Sequence, residues 1–180
     1  LAASLYYRDI DLAEKYNDKA INISKRLGLK HTVHIEFRGL IYYQKGDFEK
    51  SIYYLNQSLN TYIEEDKKTR IQLNLSNIAF TYRMKGDWDN ALEYYIRGLE
   101  IANKIGDKYN KAEFLSSIGF VYIYKGDYDT ASEYQLKSLN IQKENNDNNN
   151  IRWSYQSLGW ISFMTGKYDE SNEYYDKQLV

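Results

Sequence analysis

Apolar residues return every three or four positions along the chain, with polar residues filling the intervals. Leu115, Ile118, Val121 and Tyr122 are followed, after a break, by Tyr128, Ala131, Tyr134, Leu139 and Ile141. This is the period of an amphipathic helix, so each stretch predicts a helix, a break and a second helix. The expected helices cover about 10–27, 31–45, 48–64, 69–85, 88–104, 109–125, 128–144, 150–165 and 168–180, with ends placed to roughly 2–4 residues.

The breaks repeat as strictly as the helices. Gly46, Gly86, Gly126 and Gly166 stand 40 residues apart and open Gly46-Asp47-Phe48, Gly86-Asp87-Trp88, Gly126-Asp127-Tyr128 and Gly166-Lys167-Tyr168. Small residues lie seven before each Gly (Gly39, Ala79, Gly119, Gly159) and five after it (Ser51, Ala91, Ala131, Ser171). Tyr42, Tyr82, Tyr122 and Ser162 stand four before, and Leu59, Leu99, Leu139 and Leu179 thirteen after. A fixed period of this size predicts a stack of units, none of which can bury its apolar face alone.

The chemistry of the breaks explains their composition. Gly takes the left-handed geometry that ends a helix, and Asp accepts hydrogen bonds from the free N–H groups that open the next. Asp11, Glu49, Asp89, Asp129 and Asp169 fall in first helical turns, where the helix dipole accounts for them without catalysis. Gly28, Asp66, Gly106 and Asn146, all tolerant of left-handed geometry, mark the ends of the second helices. The Asn-rich run 145–150 reads as a solvated turn. Tyr16, Tyr54, Tyr94, Tyr134 and Tyr174 recur at one place on the second helices and read as packing residues.

Composition narrows the function classes. The 180 residues are 43% hydrophobic with a formal charge of −1 and no basic stripe, which argues against nucleic acid. There is no cysteine, so disulfides, thiolate metal sites and a cysteine nucleophile are excluded. No apolar run approaches the roughly 20 residues of a membrane span, and Leu1-Ala2-Ala3-Ser4 does not resemble a signal peptide, so no membrane partner and a cytoplasmic location are expected. The register starts and stops part-way through a unit, the expectation for a piece of a longer protein. His31 and His34 lack a third ligand at suitable spacing. The Gly-Asp turns lack the Lys-Ser/Thr of a phosphate loop, and no nucleophile–base grouping or cofactor motif is present. A non-enzymatic chain without cofactor or metal is expected.

Taken together, the Gly-Asp-aromatic turn, the flanking small residues, the Tyr and the Leu resemble the tetratricopeptide repeat over essentially the whole chain. Two features depart from the family's common pattern, namely a period of 40 in place of 34 and the absence of Pro. The added residues lengthen both helices, which is similar to long-repeat members such as kinesin light chains, the repeat protein linking G-protein subunits to the spindle, and bacterial peptide-sensing regulators. The resemblance implies an all-α, right-handed superhelical solenoid of helix hairpins. It also implies a single array over 1–180, with a degenerate repeat at about 1–28 and repeats at about 31–66, 69–106, 109–146 and 149–180.

In this family the first helices of the hairpins line a concave groove. The positions that map there in this chain include Glu36, Phe37, Leu40 and Tyr43; Phe80, Arg83 and Met84; Phe120, Ile123 and Tyr124; and Trp153, Gln156, Ser157, Trp160 and Phe163. Leu40, Phe80, Phe120 and Trp160 occupy one equivalent position. The implied function is a scaffold holding a peptide or protein segment through apolar anchors, with Phe80, Phe120, Tyr124 and Trp160 favoured. Two alternatives stand beside it: a sensor arm of a larger signalling protein, and a scaffold that self-associates through open repeat ends.

Overall fold

The computed structural model describes residues 9–178. Among them are α1 (Ile10–Arg26), α2 (Thr32–Gln44), α3 (Phe48–Glu64), α4 (Lys68–Lys85), α5 (Trp88–Ile105), α6 (Lys108–Lys125), α7 (Tyr128–Glu144), α8 (Asn148–Met164) and α9 (Tyr168–Gln178). No strand occurs in the described residues. The expected last residues of α9, Leu179 included, lie outside them.

Helices α1 to α8 each stop where the chain turns left-handed. Gly46, Gly86, Gly126 and Gly166 have φ of 76–81°, and Gly28, Asp66, Gly106 and Asn146 have φ of 65, 52, 72 and 55°. After the first group, the N–H of the next residue returns to a carbonyl five positions earlier: Asp47 to Tyr42, Asp87 to Tyr82, Asp127 to Tyr122 and Lys167 to Ser162. These bonds satisfy carbonyls that the helix end would leave unpaired. The Asp47, Asp87 and Asp127 carboxylates then accept from the N–H of Lys50, Asn90 and Thr130 and so open the following helices.

The Asn-rich run departs from its expected form. Asn148, Asn149 and Asn150 form the first turn of α8, because Asp147 caps it by accepting from both the backbone N–H and the side-chain amide of Asn150.

The chain divides into two compact units, 1–94 and 95–180. In unit 1, Ile41, Leu55, Leu59, Leu75 and Ile78 are buried. α2 and α3 approach so closely that a Cβ on Gly39 would stand 2.7 Å from Leu55 Cγ. Tyr42 stacks on Tyr54 at 5.5 Å between centroids, and Tyr82 on Tyr94 at 5.6 Å. The repeated tyrosines thus pack the two helices of a hairpin together, as their recurrence predicts.

Unit 2 buries Ile118, Val121, Leu139 and Leu158. Its hairpin of α6 and α7 carries the same stack, Tyr122 on Tyr134 at 5.8 Å. Ser162 interrupts the series in the last hairpin, and Tyr174 instead tilts against Tyr155 at 6.2 Å. Contacts between successive hairpins are less uniform. Phe114 fills the space left by Gly98, whereas Ser154 and Ser138 are joined through the side chain of Gln142.

Candidate functional site

The repeated turn leaves each first helix with one face on its own partner helix and another that carries the candidate residues. In unit 1 these lie on α2 and α4. Phe37, Leu40, Tyr43, Phe80 and Arg83 are half-buried, while Met84 is 50% exposed. Tyr43 and Phe80 meet at 5.4 Å between centroids, and the Arg83 guanidinium lies 4.5 Å from the Phe80 centroid. Tyr43, Phe80 and Arg83 are therefore one cluster.

Glu36 belongs elsewhere. Mapped to the groove by the repeat pattern, it is only 4% exposed. Its carboxylate accepts from the Tyr62 hydroxyl at 2.8 Å and stands 3.6 Å from Arg70. Burial, and then the Glu36 hydrogen bond, push the Tyr62 phenol well above its ordinary range. Partners on two neighbouring helices draw the carboxylate inward, information that a one-helix periodicity does not contain.

In unit 2 the candidates lie on α6 and α8. Trp153 is 67% exposed, Tyr124 58%, Phe163 50% and Trp160 47%, and Phe120 is half-buried. Phe120 packs on Tyr124 at 4.9 Å, and Trp160 stacks on Phe163 at 6.0 Å. Between the helices is a hollow of about 570 Å³ walled by Phe120, Tyr124, Trp153 and Trp160, with Ile123, Gln156 and Ser157 completing the first-helix side. Phe163 is not part of its lining. Two further walls, Tyr128 and Tyr175, come from second helices. Tyr128 reads in sequence as a turn aromatic, and Tyr175 merely follows the packing residue Tyr174, so neither carries a signal for this role.

The lining offers aromatic faces, phenol and amide oxygens, and no ionisable carboxylate, amine or guanidine. Such a surface can bury an extended chain's side chains and align it by hydrogen bonds. Glu113 stands two turns before Phe120 on α6. Glu113 keeps an exposed side chain, yet partial desolvation by its neighbours, then repulsion from Asp147 and Asp107, raises its carboxyl above the ordinary range.

Paired helices in a 40-residue register, hinged by left-handed glycines, define a helical-repeat protein of the solenoid class. Tetratricopeptide repeat models match residues 70–144, 110–178 and 37–62, and the chain belongs to that family. Among solved structures it resembles apo RapI, at 17% identity and a TM-score of 0.89 over 98% of this chain and 66% of RapI. BtubC (BKLC) from P. vanneervenii matches at 17% identity and a TM-score of 0.84, over 96% of this chain and 73% of BtubC. NprR, solved in complex with its cognate peptide NprX, matches at 26% identity and a TM-score of 0.68. That likeness covers 98% of this chain and 51% of NprR, so the chain spans about half of that relative and just under two thirds of RapI. No curated protein matches the sequence. No described helix is long and apolar enough to cross a membrane.

Proposed function

We propose that this chain is a non-enzymatic interaction scaffold that holds a peptide or protein segment against the first-helix faces. The supporting observation is the concentration of large exposed aromatics there, above all Trp153 and Trp160 beside the unit 2 hollow. Clustered aromatic surface that remains in water is characteristic of binding sites, where a few such residues carry most of the affinity. NprR was solved with a bound peptide, which is consistent with this use of the fold. Apolar anchors from the segment would fill the spaces between the rings, each buried Leu or Phe contributing about 1.5–3 kcal/mol. In unit 1 the anchors would meet Phe37, Leu40, Tyr43, Phe80 and Met84.

The test is selection of binders from a random-peptide display library, followed by titration of the recovered peptides against wild type, Phe120→Ala and Trp160→Ala. Affinity should fall about tenfold or more in each variant while the melting temperature stays within a few degrees. Undiminished affinity in folded variants would remove these residues from the site.

A further inference from the structure

The unit 2 hollow is rich in hydrogen-bond donors that only water meets. Its lining includes the indoles of Trp153 and Trp160, the Gln156 amide and the hydroxyls of Tyr128 and Tyr175, and none of these groups hydrogen-bonds to another described residue. The Ser157 hydroxyl is already given to the Trp153 carbonyl. An indole N–H donates and cannot accept, so the balance of the lining lies on the donor side. A segment that covers these groups must offer acceptors, or they lose their water without replacement. Along α8 the two tryptophans stand seven residues apart, which is two turns of one face and about 10.5 Å of helix. Tyr175 packs over Gly159, where an added Cβ would stand 3.0 Å from its ring.

We infer that the segment held in the unit 2 hollow is proline-rich, with prolines three residues apart in the left-handed polyproline II conformation. This rests on the peptide-binding reading above and names the apolar anchors at this hollow. Three residues of polyproline II advance about 9.3 Å, close to the tryptophan spacing, so two prolines on one face can each meet one indole. Same-face residues of a β-strand repeat every ~6.7 Å and fall short of it. A helical segment matches the spacing, but its backbone carbonyls are spent within the helix. Proline keeps its carbonyl and lacks the N–H, so the segment brings acceptors to a donor-rich lining and few donors of its own. It is also extended before it binds, which reduces the entropy lost on docking. With no carboxylate, amine or guanidine in the lining, a neutral segment is matched and a charged one is not.

Three capped hexapeptides provide the test: Ala-Pro-Ala-Ala-Pro-Ala, its isomer Ala-Pro-Ala-Pro-Ala-Ala, and Ala-Leu-Ala-Ala-Leu-Ala. Binding to the intact chain is followed through the indole N–H signals of Trp153 and Trp160 by NMR. The first peptide should shift both signals and bind about fivefold or more tighter than either of the others. Tyr175→Phe keeps the ring, removes one donor and should weaken that peptide about threefold. Trp160→Leu keeps apolar bulk, removes the indole and should weaken it about fivefold while changing the leucine peptide little. Neither side chain is buried, so both variants should fold, which melting curves verify. Equal affinity for the two proline isomers, or tighter binding of the leucine peptide, overturns the inference but leaves the peptide-binding reading intact. Indifference to both substitutions also overturns it. If no hexapeptide moves either signal it is overturned as well, and the broader reading then stands or falls on the library peptides and the Phe120→Ala and Trp160→Ala variants.

Discussion

At Gly98 two preferences of opposite sign meet. A glycine inside a helix costs about 0.5–1 kcal/mol relative to alanine, so propensity alone favours Gly98→Ala. The added methyl would stand 2.4 Å from two carbons of the Phe114 ring, which is itself buried and has little room to retreat. Overpacking of this kind costs about 1–3 kcal/mol, so the packing effect wins and Gly98→Ala should destabilise the protein. Gly98→Ala with Phe114→Leu should lose less than the two single changes summed. Urea denaturation of the four proteins measures the coupling, and strict additivity would show that the ring is not the obstacle.

The element scale is governed by the helix ends. Asp47, Asp87 and Asp127 cap α3, α5 and α7, but the equivalent residue before α9 is Lys167, whose amine cannot accept a backbone N–H. The preceding turn is unchanged, with Gly166 at φ 76° and the Lys167 N–H bonded to the Ser162 carbonyl. Lys167→Asn provides an acceptor without adding charge beside Asp169 and Glu170. It should stabilise α9 by about 0.5–1 kcal/mol, visible as a higher melting temperature. An unchanged or lower value would mean that α9 is limited by packing and not by its first turn.

Charge acts on the whole molecule through groups of opposite tendency. Hydrogen bonding to Lys45 holds the Glu14 carboxyl below its ordinary range, and bonding to Lys30 and Lys67 does the same for Glu65. A depressed carboxyl contributes stability that is present above its unfolded pKa and lost as pH falls through its folded value. Glu113 is raised, so the linkage reverses: its favourable contribution is complete below the unfolded pKa and lost as pH rises through the folded one. Glu113→Gln should therefore be more stable than wild type at pH 7, and the difference should shrink towards zero below about pH 4. Chemical denaturation at the two pH values decides it, and a constant difference would assign the effect to packing.

The helices, their ends and the family were legible because they depend on local chemistry: three-to-four periodicity, left-handed Gly and Asn, and Asp caps act within a few residues. The tyrosine series was legible for a related reason, since strict recurrence shows a contact made the same way in successive hairpins. Trp153 and Trp160 were singled out by the family resemblance, whereas their exposure was decided by how the helices pack. Which neighbours each side chain meets was decided by tertiary structure. Glu36 shares a register position with Ser76, Ser116 and Gln156, yet Tyr62 and Arg70 draw it inside. Tyr128 and Tyr175 join a wall that no pattern on their own helices announces. Periodicity determines which face of a helix is apolar, but a cavity is made by side chains converging from several helices, and that convergence exists only once they pack.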